Sequence, residues 1–273
     1  MPEKWVPLYQ IDAFTSKPFG GNPAAVCIMS CGLNDSLYLN IAEEMNLSET
    51  AFSERVGDAE YKLRWFTPAV EVLLCGHATL ATAHALFEHE GEKAKEITFH
   101  TLSGALKARK THDGIQLNFP RDDPEKVDPP MKLLEPLGVK KPVETFFAPR
   151  TKFLLVVVDS PKEIIELKPN FSGLLTVENP LGVKGICVTA KADDGHDFVS
   201  RFFGSWVGVN ENPVTGSAHT VLMPYWTGKL GTKKMRAYQA SKRGGELTLE
   251  MDESRVYISG EAATIVEGKI LIG

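Results

Sequence analysis

The tightest constraint on how this chain can fold is a pattern that it contains twice. "YKLRWFTPAVEVLLCGHATLATAHALF" and, much later, "DFVSRFFGSWVGVNENPVTGSAHTVLMPYW" pass through the same steps. Each opens on an Arg-aromatic-Phe strand, Arg64-Trp65-Phe66 and Arg201-Phe202-Phe203. Each crosses a loop with an acidic residue, Glu71 or Glu211, and reaches a Gly-polar-Ala step: Gly76-His77-Ala78 and Gly216-Ser217-Ala218. Arginine and glycine are 12 positions apart in the first copy and 15 in the second. An apolar helix follows in both. Its residues are small or apolar almost all round, so each helix belongs inside its own half of the molecule. Each helix begins at a glycine and leaves free backbone N–H groups at its mouth. Two such mouths facing one another across an interdomain cleft would form a donor-rich, positive pocket suited to a small carboxylate. His77 and Ser217 would be the side chains at the two mouths.

The remaining strands fit this scheme. "PLYQIDAF" alternates apolar and polar residues, and "FGGNPAAVCIM" passes from a Gly-Asn-Pro turn into a buried run. Asp35 is placed to cap a helix in which Leu37, Ile41 and Met45 fall on one face. "SETAFSE", "FLLVVVD", "GICVTAK" and the chain end "GELTLEMDESRVYISGEAATIVEGKILIG" read as strands. "PRDDPEKVDPP", Pro120 to Pro130, reads as a linker. Strands outnumber helices without a regular strand-helix alternation, which points to an α+β class and away from a doubly wound parallel sheet.

Composition narrows the function. With 273 residues, 43% hydrophobic and 24% charged, the chain has material for two ordinary domains. A net charge of −5 gives no footprint for nucleic acid. The basic run "GTKKMRAYQASKRGG" reads as a solvated face, with a local anion site near Arg243 as the alternative. No apolar run approaches the roughly 20 residues of a membrane span, and the opening residues lack a secretory pattern. Cys27, Cys31, Cys75 and Cys187 form neither a CxxC pair nor a zinc pattern. Reduced thiols in a cytoplasmic protein are expected, with no metal. "GGNP" and "TGS" lack the glycine spacing of nucleotide loops.

Several residues could carry chemistry. Glu49, in "MNLSETAF", stands at the head of a strand; partial desolvation there would raise its pKa towards neutrality and suit a general acid/base, although local pattern alone favours a solvated surface glutamate and does not lift it above Glu43, Glu44 or Glu54. His77 can donate a proton, bind a carboxylate, or serve only as a structural histidine. Cys75 lies at a helix start, where a thiol pKa can fall, or is a small buried hydrophobe. Asn212 and Ser217 can bind a ligand, or close the loop and cap the helix.

"IDAFTSKPFGGNPAAV", "NLSETAF", "RWFTPAVEVLLCGHATLA", "SRFFGSWVGVNENPVTGSAH", "PYW" and "RGGEL" together resemble, in order and spacing, the PhzF family of phenazine biosynthesis-like isomerases. The resemblance implies a diaminopimelate epimerase-like fold of two pseudo-symmetric α+β domains, each a curved mixed sheet wrapped around a central helix. The expected boundaries are 1–119 plus 262–273 for one domain and 120–261 for the other, with the active site in the cleft between them. It further implies a homodimer, no cofactor, a small carboxylate substrate, and an isomerisation in which one glutamate removes a proton from carbon and returns it elsewhere. Carried over by motif, Glu49 is the acid/base, and His77, Asn212 and Ser217 complete the catalytic set. Asn22, Gly76, Ala78, Gly216 and Ala218 are the expected substrate-binding positions. The family usually has aspartate where this chain has Asn212, and an asparagine holds a hydrogen bond but carries neither charge nor proton. Two further readings remain at this level: a non-catalytic small-acid binding protein that keeps the cleft, and a thiol-dependent racemase using Cys75. Pro213-Val214-Thr215 supplies no second thiol for the latter.

Overall fold

The computed structural model describes residues 5–128 and 131–272. The chain divides into two compact units, 1–118 with 258–273, and 119–257. Pro129 and Pro130 of the expected linker lie outside the described residues.

The first unit begins with β1 (Trp5–Ala13), β2 (Asn22–Met29), α1 (Asp35–Met45), β3 (Thr50–Gly57), β4 (Glu60–Phe66), β5 (Glu71–Val72) and α2 (Gly76–Glu88). It continues with β6 (Glu96–Thr101) and β7 (Gly104–Thr111), and the chain leaves it along β8 (Gly114–Pro120). β1 and β2 pair antiparallel, β2 and β3 parallel, β3 and β4 antiparallel, β4 and β6 parallel, β6 and β7 antiparallel; the short β5 folds back on β4.

The second unit contains β9 (Glu125–Lys126), α3 (Met131–Leu134), β10 (Glu144–Ala148), β11 (Phe153–Val157), α4 (Pro161–Glu166), α5 (Phe171–Thr176), β12 (Gly185–Lys191), β13 (Phe198–Gly204) and β14 (Val209–Asn212). α6 (Gly216–Leu230), β15 (Lys234–Gln239) and β16 (Gly245–Met251) follow; the chain returns to the first unit along β17 (Arg255–Gly260) and ends in β18 (Ala262–Leu271), which pairs with β1. From β10 to β16 the pairing repeats that of the first unit strand by strand: β10–β11 antiparallel, β11–β12 parallel, β12–β13 antiparallel, β13–β15 parallel, β15–β16 antiparallel, with β14 folded back on β13. This is the expected α+β fold of two similar halves.

The helices follow from their sequences. α2 packs on β1, β2, β3, β7 and β18, and apart from His77 its buried residues are alanines, threonines, leucines and one phenylalanine. α6 packs on β11 and β16. It carries Pro224 inside, which has no N–H to give to the Thr220 carbonyl. The amide of Asp122 takes that place, 3.2 Å from Thr220 O.

Two expectations about local structure are corrected. The cap of α1 is Asn34, whose side chain accepts from the Leu37 amide at 2.9 Å; Asp35 sits one residue inside and pairs with Arg64 instead. The segment after Pro120 is not a free linker. Asp122 is 3% exposed, and its carboxylate accepts from the Arg150 and Thr151 amides and the Thr151 hydroxyl.

The repeated arginines explain why the two loops before the central helices are held alike. Arg64 grips Glu71 with Nε at 2.7 Å and a second nitrogen at 2.8 Å. Arg201 grips Glu211 at 2.7 and 3.0 Å. Each guanidinium also lies over the phenylalanine two residues on, Phe66 at 4.9 Å and Phe203 at 5.0 Å. A bidentate pair fixes both position and orientation, so each loop delivers the chain to its helix start in a set direction.

Candidate active site

In the first unit, the end of α1 places the acid. Asn46 closes the helix in the left-handed region (φ 49), its amide bonded to Ala42 O. The carbonyl of Glu49 then accepts from the Ala25 amide at 3.3 Å, which ties the residue to β2 just before β3 begins. The Glu49 side chain is 13% exposed, and the His77 side chain, in the first turn of α2, 5%. His77 Nε2 stands 3.2 Å from Glu49 Oε2 and 3.3 Å from Ser48 Oγ. The approach to Oε2 is close but off the line of a hydrogen bond, so this buried oxygen keeps a lone pair with no directed partner.

The charge state of Glu49 corrects the expectation. Burial pushes its carboxyl up, but the neighbouring His77, with the polar contacts of Ser48 and Cys75, outweighs burial and holds it below the usual carboxylate value. Glu49 therefore stands as a carboxylate, poised to take a proton rather than to give one.

Cys75 precedes α2 in an extended conformation, and its side chain makes no capping bond to the helix. Its carbonyl is bound by the Thr79 amide and hydroxyl. The thiol lies 3.5 Å from His77 Nδ1. Of its two readings, Cys75 follows the buried one: burial, and then the charge of Glu49, push its pKa well above the ordinary value, against the smaller pull of the Ala78 and His77 amides. At neutral pH it is a thiol.

Glu49, Cys75 and His77 place ligand-type atoms within 4.8 Å of one another, which raises the question of a metal. The short contacts do not converge on one centre. His77 turns Nδ1 to the thiol and Nε2 to the carboxylate, so the ring bridges its partners and does not aim one nitrogen at a point that they share. The donor set fits a hydrogen-bonded chain better than a coordination site.

In the second unit, Asn212 ends β14 and Thr215 immediately precedes α6. The buried side chain of Gln239, at the end of β15, holds this loop. Its carbonyl accepts from the Thr215 amide at 2.9 Å; its amide donates to Asn212 O at 2.8 Å and to Thr215 Oγ1 at 3.2 Å. Ser217 lies within the first turn, half-buried, and its hydroxyl makes no hydrogen bond among the described residues. It is not the helix cap. Gly76 and Ala78 flank His77, and Gly216 and Ala218 flank Ser217, each set in the first turn of its helix. Asn22 opens β2 fully buried, after Gly21, whose positive φ (57) and close approach to the Ala13 carbonyl exclude any side chain. Neither Ser48 nor Gln239 is singled out by the sequence pattern. Ser48 adjoins the acid within a motif already singled out, whereas a glutamine at a strand end carries no local signal.

The PhzC-PhzF family of phenazine biosynthesis-like proteins matches residues 11–268. The chain belongs to this family. An uncharacterised isomerase of Halalkalibacterium halodurans is 45% identical to this PhzF-family chain over 97% of its length and 98% of the relative. The human phenazine biosynthesis-like domain-containing protein is 43% identical over 97% of the chain and 99% of its own. A crystal structure of a PhzF-family protein from Enterococcus faecalis, 40% identical, superposes with a TM-score of 0.92 over 98% of this chain and 99% of that one. This PhzF-family member is an isomerase. No helix among its described residues is long and apolar enough to cross a membrane.

Proposed function

We propose that this chain isomerises a small carboxylate without a cofactor, by moving one proton with one carboxylate base, Glu49. The observation that carries this reading is the asymmetry of the two halves. In the first, the residue before β3 is Glu49, beside His77. The corresponding place in the second, before β12, is Lys184, and the place of Cys75 is taken by Thr215. The repeated fold thus carries a single carboxylate base, and it has no pair of thiols for a two-base racemase.

Glu49 removes a proton from an acidic C–H of the substrate with its buried lone pair. His77 is close enough to stabilise the acid once protonated and to keep it aimed. Return of the proton at a second carbon completes an isomerisation with no net redox change. The free hydroxyl of Ser217, the side chain of Asn212 and the backbone N–H groups that open α2 and α6 are donors of the kind that binds a carboxylate and its developing negative charge. Asn212 binds as a neutral group where the family commonly has a charge, so the substrate need not be that of the phenazine enzyme.

The test is solvent deuterium exchange by NMR over a panel of small cyclic and amino carboxylates, including trans-2,3-dihydro-3-hydroxyanthranilate. Wild type should place deuterium in one of them, and Glu49→Gln should not. Binding without exchange in wild type would leave a small-acid binding protein instead.

A further inference from the structure

We propose that the thiol of Cys75 is a positioning group, which donates to Nδ1 of His77 and so fixes the ring in the tautomer whose Nε2–H faces Glu49. The inference rests on the reading of Glu49 as the base, but its decisive measurement does not need a substrate.

The argument starts from the division of the imidazole. Its two nitrogens have different partners, Nδ1 the Cys75 sulfur at 3.5 Å and Nε2 the Glu49 oxygen at 3.2 Å with Ser48 Oγ at 3.3 Å. An ionised carboxylate only accepts. The neutral ring therefore suits Glu49 only with its proton on Nε2, which leaves a buried lone pair on Nδ1. The thiol faces that lone pair, and it is a donor as long as it keeps its proton. Its burial beside the negative charge of Glu49 keeps the proton on sulfur. A thiolate would demand the opposite tautomer and turn a lone pair towards the carboxylate.

The sulfur also meets the Glu49 carboxylate and the Ala78 and His77 amides, so the Glu49 carboxylate is the other acceptor open to the thiol proton. The thiol does not cap α2. The second unit makes the contrast: the matching Thr215 is held through its amide and hydroxyl by Gln239, and Ser217 stands where the first unit has the histidine. The half that holds the acid has a proton donor behind an imidazole. The half that lacks it has a serine in the place of the imidazole, and its loop is pinned by a glutamine.

The experiment is ¹⁵N NMR of the histidine rings in the intact protein at neutral pH, for wild type, Cys75→Ser, Cys75→Ala and Cys75→Val. The wild type should show His77 as a single tautomer, with a proton on Nε2 and a hydrogen-bonded lone pair on Nδ1. Cys75→Ser, which keeps a donor, should preserve both signals. Cys75→Ala should shift Nδ1 away from its hydrogen-bonded position and bring in the second tautomer; Cys75→Val gives the same reading if the smaller variant does not fold. With an exchangeable carboxylate, Cys75→Ala should lose about tenfold in turnover with little change in KM, the order expected for one hydrogen bond, and Cys75→Ser should recover it. A proton on Nδ1 in wild type, or ring signals unmoved in both Ala and Val variants, would overturn the proposal. If wild type exchanges no carboxylate proton, the isomerase reading fails while the ring signals still decide the role of the thiol.

Discussion

Glu49 and His77 stand 3.2 Å apart, carboxylate to Nε2, with both side chains largely withdrawn from water. A carboxylate so placed is held charged by its neighbour while one of its oxygens stays undirected. Glu49→Gln retains the shape and removes the base. Deuterium exchange into substrate should fall by about 10²–10⁴-fold, the usual contribution of a general base. The melting temperature should move by less than about 4 °C, because only one contact is altered. Full exchange in the variant would remove Glu49 from the mechanism.

The pH profile should carry the same signature. The Glu49 carboxyl is held below its ordinary value of 4.5, so it is the active, ionised form across the neutral range. The kcat/KM of exchange should stay level from neutral pH down to about 4.5 and fall only below it. The stability that this depressed group contributes is present above the ordinary value and is lost as pH falls through the lower, folded one. An acidic limb centred near neutrality would show that burial, not His77, governs the carboxyl.

How much of this could be seen in the chain differs from feature to feature. The strands around "PLYQIDAF" and "GICVTAK" and both central helices were legible because period and composition are local properties. The repeat was legible because Arg64 and Glu71, and Arg201 and Glu211, sit at matching places and make matching ion pairs. What failed depended on partners distant in sequence. The "PRDDPEKVDPP" segment reads as a linker until Thr220, left without a helical donor by Pro224, binds the Asp122 amide. The raised pKa expected for Glu49 followed from burial, which is the largest single influence; His77, 28 positions away, together with Ser48 and Cys75, outweighs it. Gln239 had no signal at all, since its value lies in reaching Asn212 and Thr215.

Gln239→Leu should therefore harm the second unit more than a single loop substitution would. It leaves the buried Thr215 amide without its partner and removes the Gln239 bond to the Asn212 carbonyl. Each such loss costs about 1–3 kcal/mol when the group stays buried. Gln239→Glu should retain the bond to the Thr215 amide while setting a carboxylate against the Asn212 carbonyl. Urea unfolding should rank wild type above both variants. A stability equal to wild type in Gln239→Leu would show that the loop is held by other contacts.

The two arginine pairs should differ in worth despite their like geometry. The Arg201 side chain is 10% exposed and that of Arg64 19%. Arg64 has Asp35 as a second carboxylate at 2.9 Å; Arg201 has the Ile164 and Leu167 carbonyls but no second counter-charge among the described residues. Glu211→Ala should thus strand a buried cation and cost about 3 kcal/mol, and Glu71→Ala about 1 kcal/mol. Equal losses in urea unfolding would mean that the Ile164 and Leu167 carbonyls satisfy Arg201 by themselves.

His219 should set part of the acid sensitivity of the protein. It is fully buried in α6; its Nδ1–H donates to Thr215 O at 2.8 Å, and Nε2 has no partner among the described residues. Burial pushes its pKa down from 6.5 to about 4, against the smaller upward pull of the Thr215 carbonyl. The unfolded chain takes up this proton near pH 6.5 and the folded chain only near pH 4. Stability from the neutral ring is thus complete above about pH 6.5 and drains away as pH falls towards about 4, by about 3 kcal/mol in all at 1.36 kcal/mol per unit. The lowered His84 adds to the same slope. His219→Gln retains a donor for Thr215 but does not titrate. It should be the less stable protein at pH 7.5 through poorer packing, yet its unfolding free energy should fall less steeply between pH 6.5 and 4. Parallel slopes for the two proteins would show that His219 is already protonated in the fold, with its charge balanced by a group that meets Nε2.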